Sequence, residues 1–278
     1  MTFLKRRLRP SFIIIGAQKA GTTNLYHHLA LHPELVPSKT KEISFFNKPA
    51  IYNRGLDWYH QQFPMAPIWS SKRAFEATPV YLYHPGTAER IAKYSPKIKM
   101  IAILRDPVSR AYSAWNMYRQ IRANNWHVIL ERLETQTEKV RNEMIAFCDA
   151  LETTDFTTTV RQFIANDGQN PLEPGLLERG LYARQLEEYY RHFPKEQILV
   201  FESAACRANL SGELDRVADF LGIQRVEWEK LPVAEENFHR RKYEEKMPEE
   251  AGVLLKEYFR KPNEDLFALL GTRYAWNE

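Results

Sequence analysis

Gly16-Ala17-Gln18-Lys19-Ala20-Gly21-Thr22-Thr23 brings two glycines, a lysine and two adjacent hydroxyls together in one short stretch. That combination suits an anion. Glycines let successive backbone N–H groups turn onto one concave surface, the lysine adds a full positive charge, and the threonines donate further hydrogen bonds. A second group, Arg105-Asp106-Pro107-Val108-Ser109-Arg110-Ala111-Tyr112-Ser113, opens on an arginine, the side chain best shaped to hold a phosphate through two parallel hydrogen bonds. A third, Lys41-Glu42-Ile43-Ser44-Phe45-Phe46, offers a carboxylate beside a lysine, and a carboxylate so placed can take a proton from a nucleophile. Glu76, in Phe75-Glu76-Ala77-Thr78-Pro79, is the alternative carboxylate, at the end of an apolar run. Taken singly, each has a plain reading: a tight turn, a helix start, a solvated glutamate and a hydrogen-bonded turn residue.

The elements around these groups make the chemical readings stronger. Phe12 to Ile15 is apolar and β-branched, and too short for a buried helix, so it reads as a buried parallel strand. Leu25, Leu29 and Leu31 then follow with helical spacing. The glycine loop therefore meets a helix N-terminus, where the dipole favours negative charge. The pattern repeats at Ile98–Leu104, another buried strand, which runs through Arg105 into a helix expected over about 108–119, with Pro107 near its first position. Further strands are expected at Arg73–Thr78 and Gln197–Phe201. Helices are expected from about Arg54 to Pro64, around Ala88–Tyr94, over Leu181–Phe193 and Leu210–Leu221, and over about Pro248–Leu270 with an interruption at Pro262. Strands alternating with helices imply a parallel sheet with crossover helices and a ligand at the carboxyl ends of its strands. Residues 121–178 are the least legible: Glu131–Leu151 is charged and helix-permissive, while 155–159 and 166–174 read as loops. They predict a helical insertion with mobile connections over the site. No repeat or linker divides the chain, so one domain over 1–278 is expected.

Bulk properties set the limits. Of the 278 residues 44% are hydrophobic and 27% charged, ordinary for a globular protein, and a net charge of +4 is too small to argue for nucleic acid. Two cysteines, Cys148 and Cys206, make no disulfide framework and no metal cluster, which points to a reducing compartment. The eight histidines show no ligand spacing for zinc. Lys5, Arg6, Arg7 and Arg9 precede the Phe12 run, but that run is shorter than a signal peptide needs, and no stretch approaches a membrane span of ~20 apolar residues. A cytoplasmic protein with no membrane span, no metal and no nucleic-acid partner is expected.

A nucleoside-triphosphate loop reads G-x-x-x-x-G-K-[ST]. Here the lysine precedes the second glycine, and Thr22-Thr23 stands where Lys-Ser/Thr would. In this form Gly16–Thr23 resembles the 5′-phosphosulfate loop of sulfotransferases that use 3′-phosphoadenosine 5′-phosphosulfate (PAPS). Arg105–Ser113 resembles their 3′-phosphate element, R-D-P-x-x-R-x-x-S. Lys41-Glu42-Ile43-Ser44-Phe45-Phe46 resembles the K-E-x-x-F-F segment that carries the base in heparan-sulfate-type (N- and 3-O-) members.

The resemblance implies an α/β fold with a P-loop-like central parallel sheet flanked by helices. It makes Gly16, Ala17, Gln18, Lys19, Ala20, Gly21, Thr22 and Thr23 the 5′-phosphate site, with Lys19 also neutralising charge on the leaving oxygen. Arg105 and Ser113 would grip the 3′-phosphate, and Arg240, Arg241 and Lys242 would close over the cofactor, although Tyr243 stands where the family commonly has glycine. Glu42 would be the base, with Lys41 beside it to hold the sulfonate or tune its charge; on residue type and position alone, Glu76 is the second candidate base facing the cleft, and Phe46 and Trp58 either line the acceptor site or pack the core. PAPS would be the donor, adenosine 3′,5′-bisphosphate the product, and no metal would take part. The acceptor would be a hydroxyl or amine of a saccharide, or of a lipid or natural-product alcohol. Two other readings remain. One is a kinase using ATP, with Asp106 as the magnesium ligand but without the expected Lys-Ser/Thr pair. The other is a non-catalytic protein that binds nucleotides or polyanions through its basic clusters.

Overall fold

Seven strands occur among the described residues of the computed structural model, which are 4–167, 169–170, 172–232 and 245–277. They are β1 (Lys5–Arg7), β2 (Pro10–Gly16), β3 (Leu35–Pro37), β4 (Met65–Pro67), β5 (Arg73–Ala77), β6 (Lys99–Leu104) and β7 (Ile198–Glu202). Five make a parallel sheet in the order β3-β5-β2-β6-β7, while β1 and β4 pair antiparallel as a separate ribbon. The central position of β2 follows from its composition: Phe12 to Ile15 are all fully buried, as a strand covered on both faces requires. β7, at the edge, keeps Leu199 and Val200 half-buried.

Contacts divide the chain into two compact units, one of residues 1–105 and 188–240, the other of 106–187 and 241–278. The first contains both sheets. Its glycine loop joins β2 to the helix Thr22–Ala30, as the spacing predicts, and β6 ends at Leu104, immediately before Arg105.

The second unit is helical, around a core that includes Trp115, Phe156, Val160, Phe163, Leu176, Leu177, Leu255 and Phe259. It differs from expectation in two places. Residues 155–159, expected as a loop, form the start of the helix Phe156–Ala165. Asp155 caps it, accepting from the Thr158 N–H at 2.7 Å, and Phe156, Val160 and Phe163 bury one face. Three consecutive threonines are poor helix formers, but the cap and the buried stripe outweigh them. The helix Glu249–Leu270 also runs through Pro262 without a break. Ala251, Leu255, Phe259, Asn263, Leu266 and Phe267 are buried on both sides of the proline, so packing holds the axis where local propensity would end it.

Candidate active site

Each glycine of the Gly16–Gly21 loop is required for its own physical reason. A Cβ on Gly16 would lie 2.6 Å from the Leu82 Cβ, so only hydrogen fits there. A Cβ on Gly21 would make only ordinary contact with Ile103 Cδ1 at 3.7 Å, but its φ of +106° is one an L side chain resists. Lys19 between them also has a positive φ, +69°. Backbone of this kind turns successive N–H groups onto one concave face. Gly21 stands at the N-cap of Thr22–Ala30 with no side-chain cap and no acidic residue in the first turn, leaving the helix end suited to an external anion. The loop is held at its base: the Ala17 N–H donates to the Ile103 carbonyl (2.7 Å) and the Leu82 N–H to the Ile15 carbonyl (2.8 Å).

Arg105 reaches this loop. Its guanidinium donates to the Lys19 carbonyl at 3.1 Å, so the arginine that follows β6 meets the backbone of the loop that follows β2 and carries Lys19. The next residue, Asp106, belongs to the second unit, where both its oxygens are engaged: Oδ1 accepts from the Val108 N–H, and Oδ2 accepts from the N–H and the hydroxyl of Ser109. It is the N-cap of the helix Pro107–Asn124, with Pro107 in the first turn. On that helix Ser113 is buried, and so is Arg110, which donates to the Leu176 carbonyl and whose pKa burial lowers. Arg240, Arg241 and Lys242 lie outside the described residues.

Glu42 sits at the same sheet edge, one strand along. Its N–H donates to the carbonyl of Ala77, the last residue of β5 (2.9 Å), and β5 pairs with β2. Glu42 is exposed and ion-paired with Lys41 at 2.8 Å. Its φ of +64°, like the +57° of Ser44, is a strained backbone state for a non-glycine residue, of the sort that persists only when its surroundings impose it.

The other three acceptor-side residues are placed differently. Trp58 is half-buried, stacked on Phe45 and covered by the Arg54 guanidinium at 5.1 Å. Phe46 and Glu76 are fully enclosed. The Glu76 carboxylate accepts from the Tyr59 hydroxyl (2.5 Å), the Thr78 hydroxyl (2.8 Å) and, at 3.4 Å, the Tyr81 hydroxyl. Burial pushes its pKa up to about 7 although all three hydrogen bonds pull it down. Burial likewise raises Tyr59 and Tyr81 well above the usual phenol value. The sequence offers Tyr59 as an aromatic for the acceptor site or the core, and neither Tyr59 nor Tyr81 as a partner of Glu76. Nothing in spacing connects residue 59 to residue 76, and the only local hint was Thr78 and Tyr81 following Glu76 in one turn.

The fold and this site define an α/β protein in which a glycine loop, a helix N-terminus and an arginine meet at the carboxyl edge of a parallel sheet, an arrangement suited to a phosphate-bearing anion. The sulfotransferase domain model matches residues 9–249, and the chain belongs to that family. It is 29% identical over 224 residues to the bifunctional heparan sulfate N-deacetylase/N-sulfotransferase 2 of Homo sapiens, covering 77% of this chain and 22% of that protein. It is 31% identical over 217 residues to heparan sulfate glucosamine 3-O-sulfotransferase 3B1 of Homo sapiens, covering 78% of this chain and 47% of that one. The chain thus spans less than half the length of either relative. A sulfotransferase from Alicyclobacillus acidocaldarius has the same fold, with a TM-score of 0.66 at 24% identity over 97% of this chain and 99% of that one. No helix among the described residues is long and apolar enough to cross a membrane.

Proposed function

We propose that this sulfotransferase uses PAPS as its donor and sulfates a hydroxyl or amine of a saccharide, with Glu42 as the base. The observation that carries the reading is the meeting of Lys19 and Arg105 on one loop, with Glu42 fastened to the end of the adjacent strand. These groups fit a doubly phosphorylated nucleotide: the Gly16–Gly21 backbone, the hydroxyls of Thr22 and Thr23 and the first turn of the helix suit the 5′-phosphate, and Arg105 suits a second phosphate. Ser113, Arg240, Arg241 and Lys242 are assigned to the cofactor on the sequence resemblance alone.

PAPS, when bound, supplies a sulfuryl group whose bond to the 5′-phosphate oxygen breaks as its bond to the acceptor forms. Glu42 takes the proton that the acceptor oxygen or nitrogen releases. Lys19 and the helix N-terminus offset the charge that gathers on the departing phosphate oxygen. Lysine, arginine and backbone dipoles carry the charge-balancing role that magnesium has in kinases. Asp106, with both oxygens occupied in capping a helix, is poorly placed to bind that metal. A saccharide acceptor is favoured because the Glu42 segment resembles that of the heparan-sulfate-type enzymes and because both named human relatives sulfate heparan sulfate. Lys41, ion-paired with Glu42, and the half-buried Trp58 are assigned to the acceptor on their residue types.

Calorimetry with adenosine 3′,5′-bisphosphate tests the donor: binding without magnesium and in preference to ATP is expected, and a preference for ATP with magnesium would overturn the assignment. Labelled PAPS with a panel of saccharide, lipid and small-molecule acceptors then tests the acceptor. In that assay Glu42→Gln abolishes transfer while nucleotide affinity changes little. Retained turnover would place the base elsewhere.

A further inference from the structure

The loop 38–47, which carries Glu42, is fastened from below by two sets of bonds. The first uses the backbone of β5 and its end: Ser38 N–H donates to the Phe75 carbonyl (2.8 Å) and Glu42 N–H to the Ala77 carbonyl (2.9 Å). The second is a single atom. The Tyr81 phenol oxygen accepts from the Phe45 N–H (2.9 Å) and the Phe46 N–H (3.3 Å). Glu42, the last residue of the first set, and Ser44, just before the second, are the two residues of this loop with positive φ. The strained backbone that presents Glu42 is therefore clamped at Ala77 on one side and at Tyr81 on the other.

What fixes Tyr81 is Glu76. With two N–H groups on its oxygen, the phenol has one hydrogen left to give, and the Glu76 carboxylate lies at 3.4 Å from it. The Tyr81 backbone is held as well, its carbonyl accepting from the buried Tyr189 hydroxyl at 2.8 Å. Donors and acceptors balance only when Glu76 is ionised. Three hydroxyls (Tyr59, Thr78 and Tyr81) then donate into one carboxylate, and the oxygen of Tyr81 stays available to the two loop amides. A protonated Glu76 is itself a donor, so one hydroxyl must give up donating or an oxygen must accept in competition with the amides.

We propose that Glu76 is a positioning residue for the sulfuryl-transfer base: from its sealed site it holds the Tyr81 phenol, the phenol holds the Phe45 and Phe46 amides, and these hold Glu42 in its strained pose. The proposal rests on the reading of Glu42 as base. Glu76 is fully buried and touches no acceptor. The groups facing it from the surrounding elements are Tyr59 and Tyr94, from the helices Gly55–His60 and Thr87–Tyr94, Tyr26 from Thr22–Ala30, and Thr78 and Tyr81 from its own turn. All are hydroxyls, with no cation among them. The ionised form is thus supported by hydrogen bonds alone, against burial that pushes the pKa up to about 7.

The test compares wild type, Glu76→Gln and Tyr81→Phe as full chains, by hydrogen exchange of the peptide covering 38–47 and by kcat with labelled PAPS and the acceptor found in the panel. Both variants should speed exchange at Phe45 and Phe46 by about tenfold or more. They should lower kcat ten- to a hundredfold, roughly the effect of a misplaced catalytic group, with the affinity for adenosine 3′,5′-bisphosphate nearly unchanged. In wild type, loop protection corrected for intrinsic chemistry and kcat should both fall as pH drops through about 7, and Glu76→Gln should show neither dependence. Tyr81→Phe keeps the ring and serves if Glu76→Gln does not fold. Unchanged loop exchange in a folded variant overturns the proposal, and so does a pH dependence that survives in Glu76→Gln. Exchange needs no turnover, so a wild type inert towards PAPS would sink the functional assignment and leave this result readable.

Discussion

Replacing Gly16 with alanine isolates the one point where the anion loop depends on the absence of a side chain. The new Cβ would stand 2.6 Å from the Leu82 Cβ, 2.8 Å from its Cδ2 and 3.2 Å from its Cγ, all well inside ordinary contact. Neither backbone can slide away freely. Leu82 donates to the Ile15 carbonyl and Ala17 to the Ile103 carbonyl, so the end of β2 is tied to β6 on one side and to the segment after β5. The overlap must then either be absorbed as strain, at about 1–3 kcal/mol, or be relieved by shifting the first residue of the loop. Absorbed strain of that size lowers the melting temperature by roughly 3–10 °C in a protein of this length. A shifted loop costs about a hundredfold in kcat/KM for PAPS, the usual price of an ångström at a reacting centre. Differential scanning fluorimetry with and without adenosine 3′,5′-bisphosphate, together with kcat/KM, separates the two. Adding Leu82→Ala removes Cγ and Cδ2 but leaves the 2.6 Å contact with Cβ, so the double variant stays impaired. Gly21→Ala meets no atom closer than 3.7 Å and should suffer only from its φ, at about 1–2 kcal/mol. A Gly16→Ala protein that melts with wild type and keeps kcat/KM within about twofold would show that a Cβ is accommodated there after all.

Lys19→Ala should lower kcat by about 10²–10³, as the loss of one preorganised charge partner does elsewhere, and steady-state kinetics at saturating PAPS reads this directly. Asp106→Ala removes the acceptor for two N–H groups and a hydroxyl at a helix start and should cost about 1 kcal/mol in urea unfolding. Asp106→Asn, an equally good cap, should be close to neutral in both stability and nucleotide affinity, whereas a magnesium ligand would not tolerate it. Glu76 makes stability fall as pH rises. Its pKa is raised from 4.5 to about 7 on folding, so between those values the folded state binds the extra proton and ∂ΔG/∂pH is negative. The loss from pH 4.5 to 7 is on the order of 3 kcal/mol from this group. Glu76→Gln should remove that component when the two proteins are unfolded in urea across the range, and parallel curves would refute the burial argument.

The amino-acid sequence by itself determined the parts of this protein whose physics is local. A β-branched run, two glycines around a lysine and a helix-spaced tail make an anion loop from consecutive residues, and the same logic marks Arg105 after Ile98–Leu104. The central strands and the family follow from those runs. Tertiary structure alone decided what depends on residues distant in the chain. Asp155 starts a helix and Pro262 fails to end one because buried faces outweigh propensity. Lys19 and Arg105, 86 residues apart, meet because β2 and β6 are neighbours. Glu76 read equally well as a cleft carboxylate or a turn residue until folding closed Tyr59, Thr78 and Tyr81 around it. A carboxylate's role is set by what solvates its charge, and no periodicity in the chain records which hydroxyls will replace the water.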